Sequence, residues 1–85
     1  MPDGPVFRYR ADVLVQLGRH GIRPTVSTRP ELVRDFVRDL YKYEIRQLRA
    51  RMLRREFPKA AYADRVLELR SRYAVLSRLP RQFVE

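Results

Sequence analysis

TRPELVRDFVRDLYKYEIRQLRARMLRREF, residues 28–57, is the stretch whose reading decides the fold. Its apolar positions Val33, Val37, Tyr41, Ile45, Leu48 and Met52 step by four or three, which lays them as one stripe along a helix. Phe36 and Leu40 widen that stripe in its N-terminal half. Thr28 and Glu31 have the spacing of a capping box, in which the Thr28 hydroxyl accepts from the Glu31 N–H and the Glu31 carboxylate reaches back to the Thr28 N–H. Pro30 falls in the first turn, where a missing N–H costs nothing. Glu31 and Asp35 lie near the positive end of the helix dipole, and Arg51, Arg54 and Arg55 near its negative end. Pro58 disfavours helical geometry at Phe57, so one helix is expected over residues 29–57, a rod of about 40 Å.

Downstream of Pro58 a second periodic segment carries Tyr62, Val66, Leu69, Tyr73 and Leu76, a heptad seam that predicts a helical arm over residues 59–78. If the chain reverses at Phe57-Pro58, Tyr62 meets Met52, Val66 meets Leu48, Leu69 meets Ile45, Tyr73 meets Tyr41 and Leu76 meets Val37. Every pair is apolar or aromatic. Two stripes that fall into register predict an antiparallel helical hairpin.

Upstream, Val13, Leu14 and Leu17 share a face of a short helix expected over residues 9–20, with Gly21 as its stop. Gly18 inside it suggests a close backbone approach. Met1 to Pro5 is expected to be a flexible lead-in, with Val6, Phe7 and Tyr9 tied to the body, and Ile22 and Val26 are expected to pin the loop that follows the short helix. Phe36, Leu40 and Leu67 fall off the hairpin seam, and the first helix is the one element left to cover them. The expectation is therefore an all-α, three-helix arrangement built on a long antiparallel hairpin, one small domain over residues 1–85. Its tail, residues 80–85, either folds back on the long helix or docks elsewhere through Phe83 and Val84.

Composition narrows the function classes. The 85 residues hold no cysteine, which excludes disulfides, thiolate chemistry and a thiolate zinc site, and makes an intracellular, cytoplasmic protein the expectation. No apolar run has the length of a membrane span, so no integral membrane association is expected. The net charge is +9, with 17 arginines and two lysines against ten acids, a balance suited to an anionic partner. Peripheral membrane binding is disfavoured because the apolar stripes are consumed by the core.

The charge is concentrated. Arg46 to Lys59 holds six cations and Glu56 as its one acid, whereas Glu31 to Ile45 is nearly neutral. Arg46, Arg49, Arg51, Arg54 and Arg55, extended by Lys59 and Arg65 across the turn, form a basic tip that could hold phosphates or an acidic protein. The bland reading is a solvated face whose arginine stems shield the apolar stripe. A helix-turn-helix over residues 11–38 is disfavoured, because the Gly21–Ser27 connection is long and the second helix opens with acids.

Tyr41, Tyr62 and Tyr73 belong to the seam, and Tyr43, off the seam, is the candidate exposed aromatic. Glu44 lies partly inside the apolar zone and is expected to pair with an arginine; His20, the one histidine, sits at a helix C-terminus where a cation or capping donor is favourable. Lacking a nucleophile motif, a clustered metal-ligand set and a glycine-rich phosphate loop, the chain is expected to have no catalytic residue, no metal and no cofactor. Leu40-Tyr41-Lys42 is similar to the tripeptide of the LYR-motif proteins, small basic helical adaptors, with Lys42 where that family has arginine; the likeness spans three residues and brings no function with it. The expected role is a small, basic, non-enzymatic helical interaction module that self-associates or binds a larger protein partner, with Tyr43, Phe83, Val84 and the basic tip as contacts. The alternative is a nucleic-acid-binding protein using the tip.

Overall fold

The computed structural model describes residues 4–85. The chain is all-α: α1 spans Ala11–Gly18, α2 spans Pro30–Leu53 and α3 spans Tyr62–Arg72, with 3₁₀ turns at Lys59–Ala61, Ala74–Ser77 and Pro80–Gln82. Of the expected lead-in, residues 1–3 lie outside the described residues, and Gly4 and Pro5 are exposed. The molecule is elongated, 54 × 18 × 17 Å, with a radius of gyration of 15.8 Å against the about 12 Å of a compact chain of this length.

α2 is the axis of the fold. Pro30 opens it and Glu31 sits in its first turn, but the N-cap is Arg29, which makes no side-chain cap. The expected capping box does not form: the Thr28 hydroxyl instead accepts from the Thr25 N–H at 2.9 Å, closing the preceding loop on itself. The helix also stops at Leu53, four residues short of Phe57. The terminator is Arg55 rather than Pro58. Arg55 adopts a left-handed φ of 62°, and its N–H bonds the Met52 carbonyl while the Glu56 N–H bonds that of Arg51, both at 3.0 Å. That is a Schellman ending, which satisfies carbonyls the helix leaves open.

α1 ends in the same way with the residue the motif prefers. Gly21 has φ 74°, its N–H bonds the Gly18 carbonyl, and Ile22 N–H bonds that of Leu17, each at 3.0 Å. Gly18 itself is not a site of close approach: a methyl there would meet nothing within 4 Å.

Downstream of Pro58 the chain packs back against α2. The Tyr41 and Tyr73 rings meet edge-on at 5.2 Å, and Arg34 donates through Nε and Nη2 to the carbonyls of Arg78 and Leu76, each at 2.9 Å. The second arm is not one helix over 59–78. α3 gives way at Tyr73 (φ −108°, ψ 31°) to a 3₁₀ turn. On an unbroken helix Val75 would point about 120° away from Leu69; the tighter turn brings it into the core, where it is 1% exposed.

The two ends of the chain close the wide end of the molecule. Tyr9 and Val84 form an antiparallel bridge, with Arg10 N–H bonded to the Phe83 carbonyl and Glu85 N–H to that of Arg8, both at 2.9 Å. Phe83 is carried inward to 0% exposure beside Val13, Leu17, Val33 and Val37. The tail thus takes the fold-back course; Phe83 is core, not a docking group, and Val84 is half-buried against Tyr9. The first helix sits at the expected end of the molecule but does not cover all the residues it was expected to cover. α1 packs on the Ala74–Ser77 turn, and that turn with Pro80–Gln82 covers α2. Leu40 is half-buried there, but Phe36 and Leu67 stay 60% and 61% exposed. Of the upstream anchors, Phe7 is half-buried with its N–H on the Val26 carbonyl at 2.8 Å, and Ile22 packs on the core. The Val6 and Val26 side chains remain mostly exposed.

Candidate interaction site

Two surfaces carry chemistry, the tip where α2 turns into α3 and the outer face of α2. At the tip, Phe57 is buried, with the Arg65 guanidinium 4.2 Å from its ring centre and that of Arg51 at 5.7 Å. Both distances allow cation–π attraction. Glu56 accepts from Arg54 Nε at 2.8 Å and Arg51 Nε at 3.3 Å. The hydrogen bond from Arg54 holds the Glu56 carboxyl below its ordinary range, with Arg51 adding to the effect.

The expected basic patch is therefore divided. Arg51, Arg54 and Arg65 are engaged in holding the turn. Arg46, Arg49, Arg55 and Lys59 are exposed and make no ion pair among the described residues. Arg49, Arg55 and Lys59, with Glu56, line an open groove of about 930 Å³ together with Met52, Leu53, Phe57 and Pro58. Helical periodicity could not have grouped them, because Arg55 and Lys59 lie past the end of α2. Arg46 projects from the helix elsewhere, and Arg65 lines the groove between α2 and α3 together with Tyr43 and Arg51.

The outer face of α2 is apolar without cover. Leu32, Phe36 and Tyr43 are 62%, 60% and 57% exposed. At about 100° per residue they fall within about 40° of arc on one flank of the helix, with Phe36 about 60° from Val33 and Tyr43 at the edge of the groove between α2 and α3. Tyr43 was legible as an exposed aromatic. Leu32 and Phe36 were not, because any apolar residue near the stripe reads as core until its cover is known.

The titratable groups between the arms have structural partners. Glu44 accepts a hydrogen bond from the Tyr73 hydroxyl instead of pairing with arginine. Burial, and then the Glu44 hydrogen bond, push the Tyr73 phenol well above its ordinary range. His20 stacks on Tyr73 with ring centres 4.2 Å apart, and its Nε2–H donates to the Arg72 carbonyl at 2.8 Å. It therefore caps the end of α3, not that of its own helix. Arg34, which clamps two carbonyls of the C-terminal segment, had no signal in the sequence beyond its charge.

Among the described residues no group of three or more metal-ligating side chains is placed to hold an ion, and no helix is long and apolar enough to cross a membrane. The chain matches no protein family, no curated protein and no solved structure.

Proposed function

We propose that this protein is a non-enzymatic helical interaction module, cytoplasmic in location, that binds protein through the outer face of α2. The observation that carries the reading is the exposure of Leu32, Phe36 and Tyr43 along one flank of a 24-residue helix whose neighbouring face, Val33, Val37 and Leu48, is anchored in the core. Three large exposed apolar side chains on one flank of a helix are what protein contact surfaces offer and solvated helix faces avoid. A photo-crosslinking residue placed at Phe36, with a second at the exposed Asp64 of α3 as control, tests it in the living cell. Defined protein adducts at 36 and diffuse ones at 64 are expected; the same diffuse pattern at both would end the reading.

A second reading rests on a different observation. Arg49, Arg55 and Lys59, which make no ion pairs among the described residues, line one groove whose single acid, Glu56, is already held by Arg51 and Arg54, on a chain of net charge +9. Such a cluster suits nucleic-acid phosphates. Fluorescence anisotropy with labelled duplex DNA, single-stranded DNA and RNA, across about 50 to 200 mM salt, decides it. Affinity that falls steeply with salt and drops again in Arg55→Glu supports the reading, and a flat trace removes it.

A further inference from the structure

We infer that the occupant of the outer α2 face is a second copy of this chain, docked antiparallel with Tyr43 on the two-fold axis. The inference rests on the reading of that face as a protein contact and names its partner.

Phe36, Tyr43 and Ala50 repeat every seven residues along α2, and Leu32, Asp39, Arg46 and Leu53 fall between them at steps of three and four. This is a second heptad seam on the side of the helix that the core does not use. Its two apolar ends, Leu32 and Phe36 at one and Leu53 at the other, are exposed, and Leu53 is 68% exposed. Its middle holds one acid and one base.

Inverting the helix about Tyr43 tests whether this seam fits itself. Phe36 then lies opposite Ala50 of the second copy, a large side chain against a small one. Leu32 comes beside the second Leu53, and Asp39 beside the second Arg46. By the two-fold, each of these contacts occurs twice. Arg46 makes no ion pair within its own chain among the described residues, and Asp39 has only a loose approach to Arg38 at 3.7 Å with its side chain 70% exposed. A parallel arrangement would set Phe36 on Phe36, Asp39 on Asp39 and Arg46 on Arg46, pairing like charges. The wider charge pattern points the same way. The first half of α2 carries Glu31, Asp35 and Asp39 against Arg34 and Arg38, and the second carries Lys42, Arg46, Arg49 and Arg51 against Glu44, so an antiparallel pairing sets the slightly acidic half over the basic one.

The chain has no cysteine, which allows a clean test. In full-length protein, Tyr43→Cys places two thiols across the axis, and Leu67→Cys places one at a similarly exposed site on α3. Mild oxidation should join Tyr43→Cys chains at least tenfold faster than Leu67→Cys chains. Sedimentation should show twice the 10.2 kDa chain mass at high concentration for the parent protein. Asp39→Arg and Arg46→Asp should each raise the dimer dissociation constant about tenfold, and the double swap should restore it, because the pair reforms with signs exchanged. Circular dichroism of the variants shows that the monomer fold is kept. Equal oxidation rates at 43 and 67, a mass that stays at 10.2 kDa, or a double swap no better than the single variants would each overturn the inference. If the mass stays monomeric while crosslinking at Phe36 captures a different defined protein, the self-pairing fails and the contact surface stands. If both fail, the surface reading fails with it.

Discussion

The wide end and the prong of this molecule are built from the same kinds of residue and differ in how many elements surround them. At the wide end, Val13, Leu17, Val37, Val75 and Phe83 are 0–1% exposed, because α1, the C-terminal turns and the first half of α2 enclose them from three sides. Along the prong α2 has α3 alone. Its best-covered residues, Leu48, Phe57 and Leu69, keep 4–8% exposure, and Ile45, Met52, Tyr62 and Val66 are only half-buried. Apolar burial stabilises in proportion to the area removed from water. The wide end therefore carries the stability, and the prong is a two-helix extension held at its tip by arginines on Phe57 and Glu56.

The sharpest test of that contrast uses one residue type in both regions. Phe83→Ala should cost about 4 kcal/mol, since it removes a buried side chain and leaves a cavity that three elements hold open. Phe57→Ala should cost about 2 kcal/mol, because water and the freed arginine side chains can refill the site. Urea denaturation measures both. Equal losses would mean that the prong is as well packed as the base. Hydrogen exchange sharpens the comparison: Phe57→Ala should deprotect Arg49 to Val66 and leave α1 unchanged.

Next in size is the joint between the regions. Tyr73→Phe leaves the half-buried Glu44 without its donor and should cost about 1–3 kcal/mol. The pH dependence follows in sign. A phenol whose pKa is raised on folding stabilises the fold fully below its unfolded value of about 10, and that contribution is lost as pH rises beyond it. Stability measured by urea melts should fall above about pH 10 in the parent protein and less steeply in Tyr73→Phe. The Tyr9 phenol, also raised by burial and by the charge of Glu31, accounts for the remainder.

The two Schellman endings give the third comparison. Gly21 and Arg55 occupy the same position of the same motif, and arginine is strained at a positive φ where glycine is not. Arg55→Gly should raise stability by about 1 kcal/mol, and Gly21→Ala should lower it by a similar amount. An Arg55→Gly variant that gains nothing would show that other contacts at the tip compensate for the strain.

The smallest effect is acidic. Glu56 at the tip and Asp12 at the base both have lowered carboxyl pKa values, the first mainly through a hydrogen bond from Arg54 and the second through one from Arg78. Their stabilisation is present above the unfolded carboxylate value of about 4 and disappears as pH falls through the folded one. Carbon-detected NMR titration should place both groups below the ordinary carboxylate range. Both side chains lie at the surface, where solvent screens them, so the global melt should move little.

Much of the architecture was legible because it depends on local spacing. The apolar stripe of α2, the heptad of α3 and the glycine at the end of α1 each reflect residues within one or two turns of one another, and the Tyr41–Tyr73 contact follows once the chain reverses. The capping box, the end of α2 and the unity of the second arm were misread for one reason. In each case a local signal competed with an alternative of similar energy: Thr25 for the Thr28 hydroxyl, a strained Arg55 against Pro58, an inward Val75 against continued helix. Local sequence cannot rank such near-equal choices.

For the candidate site the division falls elsewhere. That this chain is basic, helical and without cysteine, with its cations gathered between Arg46 and Lys59, is a property of the sequence by itself, since charge and periodicity need no partner to exist. Which of those cations are spent on Glu56 and Phe57, and which apolar residues lack cover, only the tertiary structure decides. Phe83 and Phe36 are the same side chain in similarly mixed surroundings of sequence, yet one lies at the centre of the core and the other faces water. Burial is set by what arrives from distant parts of the chain, and here the C-terminal segment arrived on one side of α2 and left the other side open.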